Sequence, residues 1–277
     1  MKERIVLDRM ALADVSVEPS KMAAAILDQI PDLKAPVPVE AIAEALGIVE
    51  IRIEPLRNVE GALLTTPERG SGAILLNSES PRQRRRFSTG HELGHFTNIY
   101  HEQTGDGFSC SRGDMRASNL KDADRHRRQE AEANRFAIAL LAPVKLCKAW
   151  LRQAPEIAKL QDMAGKLDLS LEAAARRYAE LTPAAIAIVF SQDGRIRYVA
   201  PSRECPRLQN LRDSQLPPGA VMARHQQGQS QPEPSWIDLD PQDWLRDPFR
   251  GELTLETLAQ QNGHAISILH VDGESDI

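Results

Sequence analysis

Three side chains within one helical turn of each other stand out for the chemistry they can do together: His91, Glu92 and His95, in the run His91-Glu92-Leu93-Gly94-His95. On a helix, residues four apart lie on one face, so both imidazoles can reach a single metal ion. Glu92 lies one position round from His91. That sets its carboxylate beside the ion, where it can take a proton from a water whose pKa zinc lowers to roughly 7. This HExxH spacing is a chemical requirement of zinc-assisted peptide hydrolysis. Gly94 is an unusual tenant for the centre of such a helix, because glycine there costs about 1 kcal/mol against alanine. Close approach of another backbone would justify that cost.

Two histidines leave a zinc site short of a ligand, and the sequence offers two ways to complete it. His101 stands ten residues after His91, the spacing at which a metzincin chain turns back with a third histidine. The turn position is Asn98, a residue that tolerates left-handed backbone. The other is Glu132, on the next predicted helix amid Ala131, Ala133 and Ala137. Small residues there let two helices approach closely. Glu130 is near but two residues away, on a different helix face.

The elements that must hold these residues can be read from periodicity and punctuation. Residues 20–30 and 38–46 read as short helices, the first capped by Ser20, the second closed by Gly47. Residues 49–53, 61–66 and 71–77 read as strands. The last of these is expected as an exposed edge along which a peptide could pair. Ser80 and Pro81 open the zinc helix. A polar loop follows it, and then a helix over 122–141 that stops before Pro143. Two helices within 154–181, joined by a short link at 167–170, have a helix-turn-helix outline. After about 183 the pattern changes to strands. Residues 185–190 and 195–200 flank Gln192-Asp193-Gly194, a hairpin signal. Residues 201–235 read as loop, and 263–272 as a strand.

The stretch RRFSTGHELGHF, followed by EAEANRFAIALLAP, resembles the ImmA/IrrE family of metallopeptidases. Its second motif matches at Glu132, Ala133, Asn134, Phe136, Ala137, Leu140, Leu141 and Pro143. The similarity spans about residues 15–145 and is looser beyond. It implies zinc held by His91, His95 and Glu132, with Glu92 as general base and His101 left as a spare or supporting histidine. It also implies a protein substrate, a helix-turn-helix repressor whose loss derepresses stress or mobile-element genes. The resemblance therefore predicts an α+β chain in three parts. A zincin-like metallopeptidase core covers 1–145, a helix-turn-helix-like segment 146–183, and a small α+β module 184–277, for which a GAF-like sensor is one reading.

Composition narrows the alternatives. Net charge is −5, which provides no general attraction to nucleic acid. The basic run Arg82, Arg84, Arg85 and Arg86 and the charges of 154–181 read as solvated faces, so direct nucleic-acid binding is not expected. Three cysteines, Cys110, Cys147 and Cys205, are too few and too scattered for a disulfide framework and fit a reducing compartment. Residues 1–9 alternate charged and aliphatic residues without the apolar stretch of a signal peptide, and no apolar run approaches a membrane span. These features set the expectation of a soluble, cytoplasmic protein. For the oxyanion of a peptidase, Tyr100, His101, His126 and Tyr178 are the donors that the sequence offers. Trp236 and Trp244 read as anchors of a small core.

Overall fold

A computed structural model describes residues 5–13, 15–101, 107–110, 125–216 and 236–275. Its elements form an α+β chain with eight α-helices and two sheets among the described residues. The chain divides into two compact units. One comprises Met1–Leu146 with Lys166–Ser170, the other Cys147–Gly165 with Leu171–Ile277. The helical segment that the sequence set apart as a middle piece thus falls mainly with the C-terminal strands.

In the first unit, α1 (Arg9–Ala13), α2 (Pro19–Asp28) and α3 (Val39–Leu46) precede the strands β1 (Ile48–Glu54), β2 (Gly61–Thr65) and β3 (Gly72–Asn77). The N-cap of α2 is Glu18 rather than the expected Ser20. Its carboxylate accepts from the Ser20 and Lys21 backbone N–H groups ahead of Pro19. Gly47 closes α3 in the left-handed conformation, as its sequence position predicts. Then come α4 (Arg82–Thr97), β4 (Gly107–Cys110) and α5 (Arg125–Leu141).

The sheet order is β1-β3-β2-β4. β1 and β3 run parallel, and β2 runs antiparallel to both of its neighbours. This corrects the expectation for residues 71–77. β3 is an interior strand, because its two hydrogen-bonding sides are taken by β1 and β2. Its burial fits, with Gly72, Ile74, Leu76 and Asn77 covered. Ser80 is also not the helix cap. It is buried and gives its hydroxyl to Glu60, while α4 starts behind Pro81 without a side-chain cap. The core between sheet and helices is built from Ile26, Leu27, Ile42, Leu63, Ile74, Leu93, Phe136 and Leu140.

The arginines in the first turns of α4 are tied down within this unit. Arg86 is buried, donating to the Val37 carbonyl at 2.7 Å and lying 3.2 Å from Asp168. Arg82 meets the same carboxylate at 2.8 Å, and Arg84 lies 3.5 Å from Glu60.

The second unit holds most of α6 (Val144–Leu151) and α7 (Ile157–Leu167), all of α8 (Leu171–Leu181), and a five-stranded antiparallel sheet of order β6-β5-β9-β8-β7. β5 (Ile186–Gln192) and β6 (Arg195–Pro201) form the predicted hairpin. Asp193 and Gly194 both have positive φ, which is what a tight primed turn demands. β7 (Trp236–Leu239), β8 (Phe249–Ala259) and β9 (His264–Ser275) complete the sheet. Trp244 is fully buried against Val189, Leu211, Leu255 and Leu269, the anchor that the sequence suggested. The side chains of Trp236 and Cys110 lie outside the described residues, as do most of the polar loop after α4 and much of 201–235. No helix among the described residues is long and apolar enough to cross a membrane.

Candidate metal centre

Helix α4 is buried from Ser88 through Phe96 although most of that stretch is polar. Burying so many polar groups is unfavourable unless partners meet them, and α5 supplies the partners. The two helices cross where α4 offers glycines. A Cβ on Gly94 would stand 2.9 Å from the Ala133 Cα, and one on Gly90 would stand 3.4 Å from the Ala137 Cα. Gly94 is therefore explained by backbone approach. Ala133 and Ala137 mark the face of α5 that meets α4.

Glu130 lies on that face, three residues before Ala133 and four before Asn134. Its Oε2 is 3.2 Å from His91 Nε2 and its Oε1 3.2 Å from His95 Nε2, while the two Nε2 atoms are 3.1 Å apart. All three residues are buried, and their donor atoms lie within 4.8 Å of one another. Donors around a tetrahedral ion at about 2.0–2.1 Å stand about 3.3 Å apart, so this set fits a small divalent cation closely. His91 Nδ1 is held at 3.1 Å by Asn134 Oδ1 from the same face of α5.

Glu132, which the sequence reading placed in the metal site, does not join this cluster. Two residues along a helix is a rotation of about 200°, and that turns Glu132 off the α4 face. Its Oε2 lies 3.1 Å from His101 Nε2 and accepts from Asn98 Nδ2 at 3.2 Å. His101 is not a third ligand either. Its Nδ1 lies 2.9 Å from His95 Nδ1, on the side of that ring away from the cluster. The triad that comes together is His91, His95 and Glu130.

Electrostatics agree with a cation site. Burial would raise the Glu130 carboxyl, but the hydrogen bonds and charges of His91 and His95 outweigh it and hold it well below the usual range. Burial pushes His95 down to about 3 against the pull of Glu130. Burial also acts on His91, yet Glu130, Glu92 and Asn134 together leave it raised. An ionised buried carboxylate between two imidazoles calls for positive charge, which a bound metal supplies.

Glu92 is fully buried beside this set, and β2 approaches it from the sheet. A Cβ on Gly61 would lie 2.9 Å from Glu92 Oε1, so glycine is what lets the strand backbone pass so near the carboxylate. Beyond α4, the buried Arg69 guanidinium donates to the carbonyls of His95, Asn98 and His101 and pins the chain as it leaves the helix. Of the oxyanion candidates, His126 is half-exposed with its Nε2 3.9 Å from Glu130 Oε1. Tyr100 is exposed, and His101 is engaged as above. Tyr178 is buried within the second unit, its hydroxyl on the Gln153 carbonyl. Sequence reasoning missed Gly61, Arg69 and the role of Glu130. For Glu130 a signal existed: it is in helical register with Ala133 and Ala137.

An HExxH helix crossed by a carboxylate-bearing helix, under a small mixed sheet, defines a metallopeptidase-type domain. Residues 43–178 match the model of the IrrE N-terminal-like domain, peptidase M78, so this stretch of the chain is an M78-type domain. None of the curated proteins matches the chain significantly. Among solved structures, a Mycobacterium tuberculosis transcriptional regulator is similar in fold, with a TM-score of 0.50 at 12% identity over 96% of this chain and 77% of that one.

Proposed function

We propose that this protein is a zinc-dependent endopeptidase that cleaves a helix-turn-helix repressor in the cytoplasm and so derepresses stress or mobile-element genes. The observation that carries the reading is the buried convergence of His91, His95 and Glu130 with Glu92 beside them. Two imidazoles and a carboxylate are the donor set of the hydrolytic zinc peptidases. The repressor as substrate rests on the family resemblance.

Zinc held by His91, His95 and Glu130 would supply Lewis acidity toward a scissile carbonyl and toward water. The rest belongs to the chain's own side chains. Glu92 takes the proton of the attacking water at its carboxylate and passes it to the leaving amine. Gly61 leaves Glu92 room to do so. For the developing oxyanion our choice of donor is His126, supported by its Nε2 lying 3.9 Å from Glu130 Oε1 with the ring half-exposed.

The test is incubation of the zinc-loaded chain with helix-turn-helix repressors from the same genome. Two fragments are expected from the wild type. Glu92→Gln should keep its zinc and yield none, a loss of about 100-fold or more for removal of a general base. Fragments from Glu92→Gln at the wild-type rate would overturn the assignment. An intact complex in both cases would mean a regulator that works by binding alone.

A further inference from the structure

His101 and Glu132 each resemble a third metal ligand in sequence, and neither is near enough to be one. They are instead in contact with each other, and His101 is in contact with a histidine of the triad. We infer that Glu132 and His101 form an outer pair that fixes the orientation and proton placement of His95, and so sets the metal affinity of the site. This rests on the reading of His91, His95 and Glu130 as the metal set.

The argument follows the protons. A carboxylate at neutral pH only accepts. Glu132 Oε2, 3.1 Å from His101 Nε2, therefore takes its hydrogen bond from Nε2–H. That leaves neutral His101 with a bare Nδ1, which can only accept. The atom facing it at 2.9 Å is His95 Nδ1, so the His95 proton belongs there. With its proton on Nδ1, His95 would present to a bound metal the lone pair of Nε2, the atom 3.2 Å from Glu130 and 3.1 Å from His91 Nε2. On the other ring Asn134 Oδ1 does the same work in one step, accepting from His91 Nδ1. Both imidazoles are thus held with Nε2 open toward the cluster, one by an amide and one by a histidine–carboxylate pair.

The surroundings hold the pair in place. Asn98 Nδ2 donates to Glu132 Oε2 at 3.2 Å. Arg69 binds the main-chain carbonyls of His95, Asn98 and His101, so the segment that carries His101 is fastened to the end of α4. Glu132 and His101 line a small pocket with Met22, Asn98 and Phe136. A ligating histidine whose other nitrogen is held by a carboxylate or an equivalent partner is worth about 10–100-fold in metal affinity. A metal ligand, by contrast, is lost outright with its side chain.

The test is zinc affinity by chelator competition on the full chain, alongside the absorption of the cobalt-substituted protein and the melting temperature of the metal-free protein. Glu132→Gln and His101→Ala should each weaken zinc binding, the second by about 10–100-fold, and shift the cobalt bands while one ion is still bound. The two residues act in series, so the double variant should be no weaker than His101→Ala alone. Metal-free melting of Glu132→Gln should match the wild type, which separates positioning from a structural role. Unchanged affinity in both single variants, or losses that simply add, would overturn the inference. Loss of stoichiometric binding in Glu132→Gln, equal to that in Glu130→Gln, would make Glu132 a ligand after all. A wild type that takes up no zinc would instead sink the metal reading itself.

Discussion

The two units bury very different things. Among the described residues the first encloses Glu60, Arg69, Arg86, His91, Glu92, His95, His101 and Glu130, whereas the second buries Cys147, Arg177, Tyr178 and Glu256. The second unit's sheet is filled from one side by Ala187, Val189, Leu255, Leu269 and Trp244, an arrangement that needs only apolar contact. Burying eight charged or titratable side chains is unfavourable unless each one is matched. Arg69, Arg86 and Glu60 are matched by neighbours that pin the chain, whereas His91, Glu92, His95 and Glu130 converge as groups of a functional site do. Glycines allow close backbone approach in both units. Gly61, Gly90 and Gly94 let backbones close on the site, and Gly251 and Gly273 face each other across β8 and β9, whereas Gly165 in α7 faces open space.

The contrast can be broken most sharply by removing one buried carboxylate from each unit. Glu130→Ala should abolish stoichiometric zinc uptake, and with it any cleavage, as read by metal analysis of the purified protein. Glu256→Ala should leave zinc and cleavage unchanged. That carboxylate accepts from the Ile157 N–H at 2.8 Å at the start of α7, and its loss should cost about 1–2 kcal/mol in urea unfolding. Zinc loss from both variants, or from neither, would erase the distinction.

A second test moves Glu92 without touching a ligand. Gly61→Ala puts a methyl 2.9 Å from Glu92 Oε1, close enough to push the carboxylate aside. Turnover should fall at least about tenfold, since small misplacements of a reacting group are expensive, while zinc content stays at one per chain. Full activity would show that β2 does not set the carboxylate.

The same substitution in both units should then act with opposite sign. Gly94→Ala meets the Ala133 backbone and should destabilise by about 1–3 kcal/mol, with weakened zinc binding. Gly165→Ala has nothing within 4 Å and should stabilise by about 0.5–1 kcal/mol. Thermal melts of the two variants decide it.

A further test of the second unit is in pH. Burial lowers His270 to about 4. Its unfolded form, with the usual value near 6.5, takes up a proton first as pH falls, so acid favours the unfolded state. Stability of the second unit should therefore decline from about pH 6.5 down to about 4, and His270→Gln should flatten that slope. All three tryptophans, Trp150, Trp236 and Trp244, fall in this unit, so their fluorescence in urea reports it. An unchanged slope would place the acid sensitivity elsewhere.

Much of this was legible in the chain itself. His91, Glu92 and His95 are fixed relative to one another by a single helix, and helical geometry is local. Gly47 as a cap and Asp193-Gly194 as a hairpin turn are local too, because backbone φ at one or two residues decides them. The α5 motif was also readable as a helix packed through small residues. The residues 71–77 were readable as a strand, yet their place in the sheet was not, since it depends on pairing with β1 in parallel and β2 in antiparallel.

The choice between Glu130 and Glu132 shows the limit. Both are carboxylates on one helix, two residues apart, and nothing in their types separates them. What separates them is which side of α5 meets α4, and the contact of Ala133 and Ala137 with Gly94 and Gly90 settles that. The sequence by itself determined a metal-binding helix and the kind of group that would complete it. Only the tertiary structure decided which carboxylate faces His91 and His95 and which stands behind His101, because a rotation of about 200° between the two is fixed by interhelical packing and by nothing local.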